Sequence, residues 1–150
     1  MVYREIHESI FELPADYYLV NCISADFSMR KRMNAEFNRR YNIKKTLQKK
    51  HPEYAKQYFF DKRRGDCILE GRIFNLVTRG KSSDQERYSG IVCALNMCKD
   101  ICVKNNIKKL AMSQLGYGSK EVEWERMREM IMETFKHLDV GIVICMKRIE

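Results

Sequence analysis

Two loops of the chain combine features that bind anions. Residues 114–119 place a Gly-Tyr-Gly sequence between a predicted strand and a predicted helix, and residues 24–33 follow another apolar segment and end in a basic run. Glycine lets backbone N–H groups approach a phosphate closely, and a helix N-terminus favours negative charge. Both loops therefore predict an anion site where strand ends meet helix starts.

The cysteines and histidines do not form a metal-binding pattern. The chain has six cysteines and three histidines, with no Cys-x-x-Cys pair, whereas zinc sites usually present such pairs. Cys93, Cys98 and Cys102 fall within one predicted helix. We expect reduced, mostly buried thiols, and neither a metal nor a cofactor.

The net charge of +8 is concentrated in one segment. Residues 30–64 hold thirteen Lys/Arg and three acidic residues, a balance of +10, so the rest of the chain carries −2. This asymmetry predicts an anionic partner: nucleic acid, a phosphate-bearing ligand or an acidic protein. Nucleic-acid binding would need one continuous patch with Tyr54, Tyr58 or Phe59 exposed for base stacking. The alternative is a solvated basic helix face.

Length and composition limit the protein class. A chain of 150 residues suits one domain, and 45% apolar with 11% aromatic residues is enough for a core and excludes a disordered chain. No apolar run approaches the roughly 18 residues that cross a bilayer, and the first residues lack an apolar signal core. We expect a soluble intracellular protein without a membrane partner, cytoplasmic, or nuclear in a eukaryote.

Hydrophobic periodicity predicts alternating strands and helices. The predicted strands are residues 2–7, 17–23, 67–69, 73–78, 108–113 and 140–146, with the third and fourth forming a hairpin. The predicted helices are residues 33–50 (as one or two helices), 84–105 and 122–138. Ser83 or Asp84 is the expected cap of the second helical segment, and Trp124 is expected in the core.

This order of elements is typical of an α/β three-layer sandwich with a mostly parallel or mixed sheet. Ligands of such sheets bind beyond the carboxyl ends of the strands. Both anion-binding loops follow predicted strands, so they fall at that position.

Four stretches, in order along nearly the whole chain, resemble the macrodomain family, which binds ADP-ribose. The similarity is greatest to the terminal ADP-ribose protein glycohydrolase branch and its bacterial relatives. The stretches are residues 21–26 (Asn-Cys-Ile-Ser-Ala-Asp), 35–41, 74–78, and 115–118 followed by Trp124-Glu125. The resemblance implies one macrodomain over residues 1–150, a three-layer α/β/α sandwich with a mixed central sheet, and ADP-ribose or an ADP-ribosylated macromolecule as the partner.

The binding loops depart from the family pattern. The family's Met-Gly-x-Gly-Ile phosphate loop corresponds to residues 29–33, Met-Arg-Lys-Arg-Met. The added cations attract a diphosphate but cannot copy the close approach of glycine; alternatively they fill the cleft, or face solvent on a reshaped loop. At the adenine end, the family's Gly-Asp corresponds to Glu8-Ser9, and a hydroxyl is a weaker partner for a base edge than a carboxylate.

The catalytic positions also differ. The branch's lysine nucleophile corresponds to Arg79, which stays protonated at physiological pH and cannot attack an anomeric carbon. Its acid–base aspartate corresponds to Lys120, which reverses the charge beside an oxocarbenium-like state. Lys81 and Glu121 are the nearest substitutes.

The resemblance predicts a macrodomain that recognises ADP-ribose or a related nucleotide diphosphate without efficient hydrolysis. One alternative is an active hydrolase that removes ADP-ribose from protein or nucleic acid with Lys81 or Glu121. Another is a degenerate macrodomain that binds nucleic acid or an acidic partner through its basic face. The predicted ligand-binding residues are Ser9, Ile10, Asn21, Ser24, Asp26, Met29, Arg30, Lys31, Arg32, Met33, Thr78, Gln114, Leu115, Gly116, Tyr117, Gly118 and Ser119.

Overall fold

A computed structural model describes residues 1–148 and contains a six-stranded sheet between two helical layers. The strands are β1 (Val2–Ile6), β2 (Tyr18–Ser24), β3 (Asp66–Glu70), β4 (Ile73–Arg79), β5 (Lys109–Met112) and β6 (Gly141–Cys145). The helices are α1 (Arg32–Tyr41), α2 (Ile43–Lys50), α3 (Tyr54–Phe60), α4 (Tyr88–Asn105) and α5 (Trp124–Phe135), with a short 3₁₀ helix at Ile10–Glu12. The predicted three-layer α/β sandwich with a mixed sheet is confirmed.

The sheet order brings the carboxyl ends of four strands to one edge. The order is β1-β6-β5-β2-β4-β3, and every neighbouring pair is parallel except the predicted hairpin of β3 and β4. Because β2, β4, β5 and β6 run in the same direction, their carboxyl ends lie at the same edge of the sheet. The loops that follow these strands therefore meet.

Each face of the sheet carries its own core. The helices α4 and α5 cover one face with apolar side chains at helical spacing, including Ile91, Leu95 and Ile131, all fully buried. The helices α1, α2 and α3 cover the other face, where Phe37 and Leu47 are fully buried. These basic helices are thus anchored to the sheet by buried apolar side chains beneath their charged surface.

The six cysteines are all free thiols, and four of them are buried in these cores. Within residues 1–148, no three His, Cys, Asp or Glu side chains converge as they would around a metal ion. None of the helices in that range has the length and apolar content needed to cross a membrane.

Two element predictions were wrong. The helix α4 begins at Tyr88, not Asp84, and neither Ser83 nor Asp84 caps it. Asp84 instead accepts a hydrogen bond from the Lys81 N–H at 3.1 Å, and Glu86 turns inward to bond the Thr78 hydroxyl at 2.8 Å. These contacts hold residues 80–87 as a loop.

The helix α3 was missed, because no apolar stripe continues beyond residue 50. Its two buried positions, Tyr54 and Tyr58, lie one turn apart. Tyr54 donates a short hydrogen bond to the buried carboxylate of Asp66 on β3. A tertiary contact, rather than a local pattern, therefore fixes this helix.

Gly90 on α4 offers a stability prediction, because a Cβ at this position would lie 2.4 Å from the Thr78 carbonyl oxygen. We expect Gly90→Ala to destabilise the fold by about 1–3 kcal/mol through overpacking of α4 against the end of β4. Urea unfolding followed by circular dichroism measures the change. Gly141→Ala is the matched control, since the nearest atom to its Cβ would be 3.8 Å away. Equal stability of both variants would contradict this account.

Candidate ligand-binding cleft

A cleft of about 490 Å³ opens at the carboxyl ends of the sheet. This volume falls within the range of small-molecule sites, roughly 300–1,000 Å³. The lining residues lie at the ends of β2, β4 and β6, in the loops after β4, β5 and β6, or at the start of α1: Cys22, Lys31, Arg32, Met33, Asn34, Arg79, Glu86, Ser113, Gln114, Leu115, Gly116, Tyr117, Cys145, Met146 and Arg148.

The first turn of α1 forms one wall. Lys31 occupies the N-cap position in an extended conformation, and its side chain makes no capping hydrogen bond. The first N–H groups of an α-helix have no partner within the helix, so this wall combines free donors with the cations of Lys31 and Arg32. Met29, buried just before them, adopts a φ of 47°. The loop thus reaches the left-handed region without the family's glycines.

The Gly-Tyr-Gly loop forms the opposite wall. Gly116 and Gly118 have φ values of 78° and 87°, a conformation that favours glycine. A Cβ on Gly116 would lie 2.4 Å from the side chain of Val122. Gly116 therefore serves two needs at once, the left-handed turn and the close packing of the loop against the chain before α5.

Tyr117 and Arg148 stand together at the mouth of the cleft. The Tyr117 side chain is 62% exposed, and the Arg148 guanidinium lies 3.6 Å from the centre of its ring. Arg148 also donates to the Gln114 Oε1 at 2.5 Å. This cation–π stack places a planar, positively charged surface at the entrance, which suits a ligand with a ring and phosphates.

The floor contains a buried ion pair. Arg79 is 5% exposed and Glu86 is 8% exposed, and their closest charged atoms lie 3.5 Å apart. Thr78 bridges them, donating to Glu86 Oε2 at 2.8 Å and accepting from Arg79 Nη1 at 3.0 Å. The Arg79 Nε is buried and has no hydrogen-bond partner among the described residues.

Two hydrogen bonds connect the loop before α4 with the residues that follow the Gly-Tyr-Gly loop. The Ser119 hydroxyl donates to the Glu86 carbonyl oxygen at 2.6 Å, and the Lys120 N–H donates to the Gln85 Oε1 at 3.3 Å. The Lys120 side chain is exposed and does not line the cleft. The two predicted degenerate positions are therefore separated: Arg79 lies at the floor and Lys120 lies outside.

Two cysteine thiols line the cleft without nucleophilic character. Burial raises the pKa of Cys22 well above its usual value, and the nearby Glu86 charge raises it further. Burial also raises the pKa of Cys145 to about 11, with a smaller contribution from Glu8. Since the thiolate is the reactive form, both side chains act as small apolar surfaces at neutral pH.

Seven of the predicted ligand-binding residues line the cleft: Lys31, Arg32, Met33, Gln114, Leu115, Gly116 and Tyr117. The others do not: Ser9, Ile10, Asn21, Ser24, Asp26, Met29, Arg30, Thr78, Gly118 and Ser119. The first set forms the α1 start and the Gly-Tyr-Gly loop. The residues of the second set lie outside the lining of the cleft.

Several of the absent residues have structural partners instead. The Ser9 hydroxyl accepts from the Phe11 N–H at 3.2 Å and caps the 3₁₀ helix, and Ile10 is buried in the core. Asn21 is buried and donates to Asn75 at 3.5 Å.

The loop after β2 is also internally bonded. The Ser24 hydroxyl donates to Asp26 Oδ1 at 2.5 Å, and the same oxygen accepts from the Ser28 N–H at 3.2 Å. Asp26 thus shapes the loop that leads to α1.

Sequence reasoning missed seven lining residues: Cys22, Asn34, Glu86, Ser113, Cys145, Met146 and Arg148. Cys22, Ser113, Cys145 and Met146 lie at or near the carboxyl ends of predicted strands, so the strand-end rule could have found them. Glu86 and Arg148 carry no local signal, because only the fold brings them to the cleft.

The basic segment is partly neutralised. Arg39 and Arg40 both pair with Glu36, Lys50 pairs with Glu70, and other cations of α3 and its following loop have acidic partners. Of the three rings considered for base stacking, Tyr54 and Tyr58 pack in the core. Phe59 is exposed, as base stacking requires.

The fold is that of a macrodomain. The macrodomain of Thermus aquaticus DarG superposes with a TM-score of 0.75 at 19% identity, covering 97% of this chain and 98% of that one. The structure of Thermosipho africanus DarTG in complex with ADP-ribose matches with a TM-score of 0.65 at 18% identity, over 91% of this chain and 40% of that chain. The predicted macrodomain fold is therefore confirmed.

Sequence similarity points to one branch. The chain is 29% identical over 141 residues to the human ADP-ribose glycohydrolase OARD1, covering 90% of this chain and 85% of that protein. No protein-family model matches the sequence. The similarity to a glycohydrolase confirms the predicted resemblance.

The buried ion pair yields a second prediction. Glu86→Gln leaves the Arg79 cation buried without a counter-charge, and we expect a loss of about 3–5 kcal/mol in the free energy of unfolding. The double variant Arg79→Gln, Glu86→Gln removes both charges and is expected to lose less. Chemical denaturation measures both, with the exposed Glu121→Gln as the control. A double variant less stable than the single one would contradict this interpretation.

Proposed function

We propose that this protein recognises ADP-ribose, or a related nucleotide diphosphate, and does not hydrolyse it efficiently. The observation that carries the proposal is the cleft at the carboxyl ends of the sheet, where the first turn of α1 faces the Gly-Tyr-Gly loop. A diphosphate fits this arrangement because both walls offer backbone N–H groups and positive charge.

The charge of the cleft supports an anionic ligand. Lys31, Arg32, Arg79 and Arg148 contribute four cations to the lining, and Glu86 is its one acidic side chain among the described residues. Arg79 is balanced by Glu86, while no ion pair of the described residues involves the other three. The unpaired cations match the negative charges of a diphosphate.

The rest of the lining suits a nucleoside. The Tyr117 ring with its stacked Arg148 presents a flat surface for a base or a ribose. Met33, Leu115 and Met146 add apolar area. The similarity to an ADP-ribose glycohydrolase and the ADP-ribose complex of a structural neighbour favour ADP-ribose among such ligands.

The chemistry of the floor opposes hydrolysis. An amine that attacks an anomeric carbon must be neutral, and the Arg79 guanidinium stays charged. Its contacts with Thr78 and Glu86 fix it further. The substitutes considered for an active hydrolase, Lys81 and Glu121, are exposed and do not line the cleft. These placements support binding over turnover.

Binding is tested by calorimetric titration with ADP-ribose. We expect the double variant Lys31→Gln, Arg32→Gln to weaken binding about tenfold or more, because charge-assisted hydrogen bonds to phosphate contribute about 1.5–3 kcal/mol. The matched control is Lys44→Gln, Lys45→Gln, which removes the same charge from α2 outside the cleft. An equal loss in both variants would indicate diffuse attraction, and failure of the wild-type protein to bind would contradict the proposal.

Turnover is tested with mono-ADP-ribosylated protein as the substrate. We expect no release of ADP-ribose above the enzyme-free reaction, while OARD1 assayed in parallel provides the positive control. The double variant Arg79→Lys, Lys120→Asp asks whether these two side chains block the reaction. Release by the wild-type protein at a rate comparable to that of OARD1 would show that the non-hydrolytic proposal is wrong.

A further inference from the structure

A second concave surface lies beside the cleft, between the end of α3 and the start of α4. We name it the α3–α4 groove; its volume is about 660 Å³. One side is formed by residues 58–59 and 62–64, and the other by residues 78–80, 83–85, 87 and 89–90. Arg79 lines both this groove and the cleft, so the two surfaces meet at one buried side chain.

The groove holds an exposed aromatic ring in a fixed position. Phe59 is 51% exposed, although its ring lies against the backbone of Gly80. A Cβ at Gly80 would fall 2.6 Å from two ring carbons, so the glycine is what allows the ring to lie there. Tyr58 packs beside it with a ring-to-ring distance of 6.0 Å. The ring is thus supported from below and open to a partner.

Cations surround this ring. Lys62, Arg64 and Arg87 line the groove and are exposed, and no ion pair of the described residues involves them. Arg63 also lines the groove, but Asp61 and Asp66 neutralise it at 2.9 Å each. Asp84, the acidic side chain of the lining, accepts the Lys81 N–H. A positive surface therefore remains around Phe59.

We propose that the α3–α4 groove binds single-stranded nucleic acid, with one base stacked on Phe59 and the neighbouring phosphates contacting Lys62, Arg64 and Arg87. Single-strand sites combine an aromatic platform with a basic groove in this way. The proposal goes beyond ligand recognition in the cleft, because it concerns a different surface and does not depend on ADP-ribose binding.

The residue types favour a single strand over other polyanions. A duplex keeps its bases stacked inside, so its phosphates could meet the cations while Phe59 would find no base face. An acidic peptide would likewise use the charges and leave the ring without a partner. The combination of a supported, half-exposed ring with flanking arginines therefore identifies unstacked bases as the partner.

The test is fluorescence anisotropy with a labelled oligothymidylate of about twelve nucleotides, a length within the usual site sizes. We expect Phe59→Ala and Phe59→Leu each to weaken binding about tenfold, because stacking on one ring contributes about 1–3 kcal/mol per base. Phe59→Tyr should retain affinity. Phe60→Ala is the matched control, since Phe60 is 83% exposed but does not line the groove.

A second set of measurements compares the oligonucleotide affinity of two triple variants. Lys62→Gln, Arg64→Gln, Arg87→Gln should weaken binding more than tenfold at low salt and flatten the salt dependence by about 2 in log–log slope. Lys44→Gln, Lys45→Gln, Lys49→Gln removes equal charge from α2 and should change affinity less than about threefold.

Three results with the oligonucleotide would overturn the proposal, and so would one result with a competitor. The three oligonucleotide results are no binding by the wild-type protein at low salt, equal losses in the two triple variants, or unchanged affinity in both Phe59→Ala and Phe59→Leu. Polyglutamate that competes as well as the oligonucleotide at equal charge would also overturn it, and would identify an acidic peptide as the partner. Titration with ADP-ribose tests the cleft separately, so a loss of oligonucleotide binding is distinguished from a loss of ADP-ribose binding.

Discussion

Glu86 connects the end of β4 with the Gly-Tyr-Gly loop, and both of these elements line the cleft. Its carboxylate accepts the Thr78 hydroxyl and faces the Arg79 guanidinium at the end of β4, while the carbonyl of the same residue accepts the Ser119 hydroxyl from the Gly-Tyr-Gly loop. A buried charge needs a partner and saturated hydrogen bonds. The contacts of Glu86 hold residues 80–87 in a loop. The helix α4 therefore begins at Tyr88.

This arrangement changes what the floor can do. A lysine in place of Arg79 could lose its proton and act as a nucleophile, whereas a guanidinium held by Thr78 and Glu86 acts as a fixed donor. A fixed guanidinium at this position supports the proposed binding function.

The basic segment serves two different surfaces. Lys31 and Arg32 at the start of α1 face the cleft, while Lys62 and Arg64 after α3 face the α3–α4 groove. Between them, Arg39, Arg40 and Lys50 are engaged by carboxylates. The net charge of the segment thus overstates the charge available to any one ligand, because ion pairs and distance divide it.

Local patterns predicted most of the elements. Short apolar segments located all six strands. The helical spacing of Ile91 and Leu95 located α4, and that of Met127, Ile131 and Phe135 located α5. The helix boundaries were less predictable. Asp84 is a residue type that often caps helices, but its carboxylate accepts the Lys81 N–H in a turn instead. The helix α3 depends on the contact of Tyr54 with Asp66 at the start of β3.

The sequence by itself determined the macrodomain fold and the Gly-Tyr-Gly loop, because these depend on residue type and order along the chain. Only the tertiary structure decided which side chains reach the cleft. Local hydrogen bonds hold Ser9 and Asp26 away from the cleft, and a bond to Asn75 on β4 holds Asn21. The fold brings Glu86 and Arg148 to the cleft. The physical reason is that a polar side chain goes to the partner that best satisfies it, and that partner is set by contacts between distant segments.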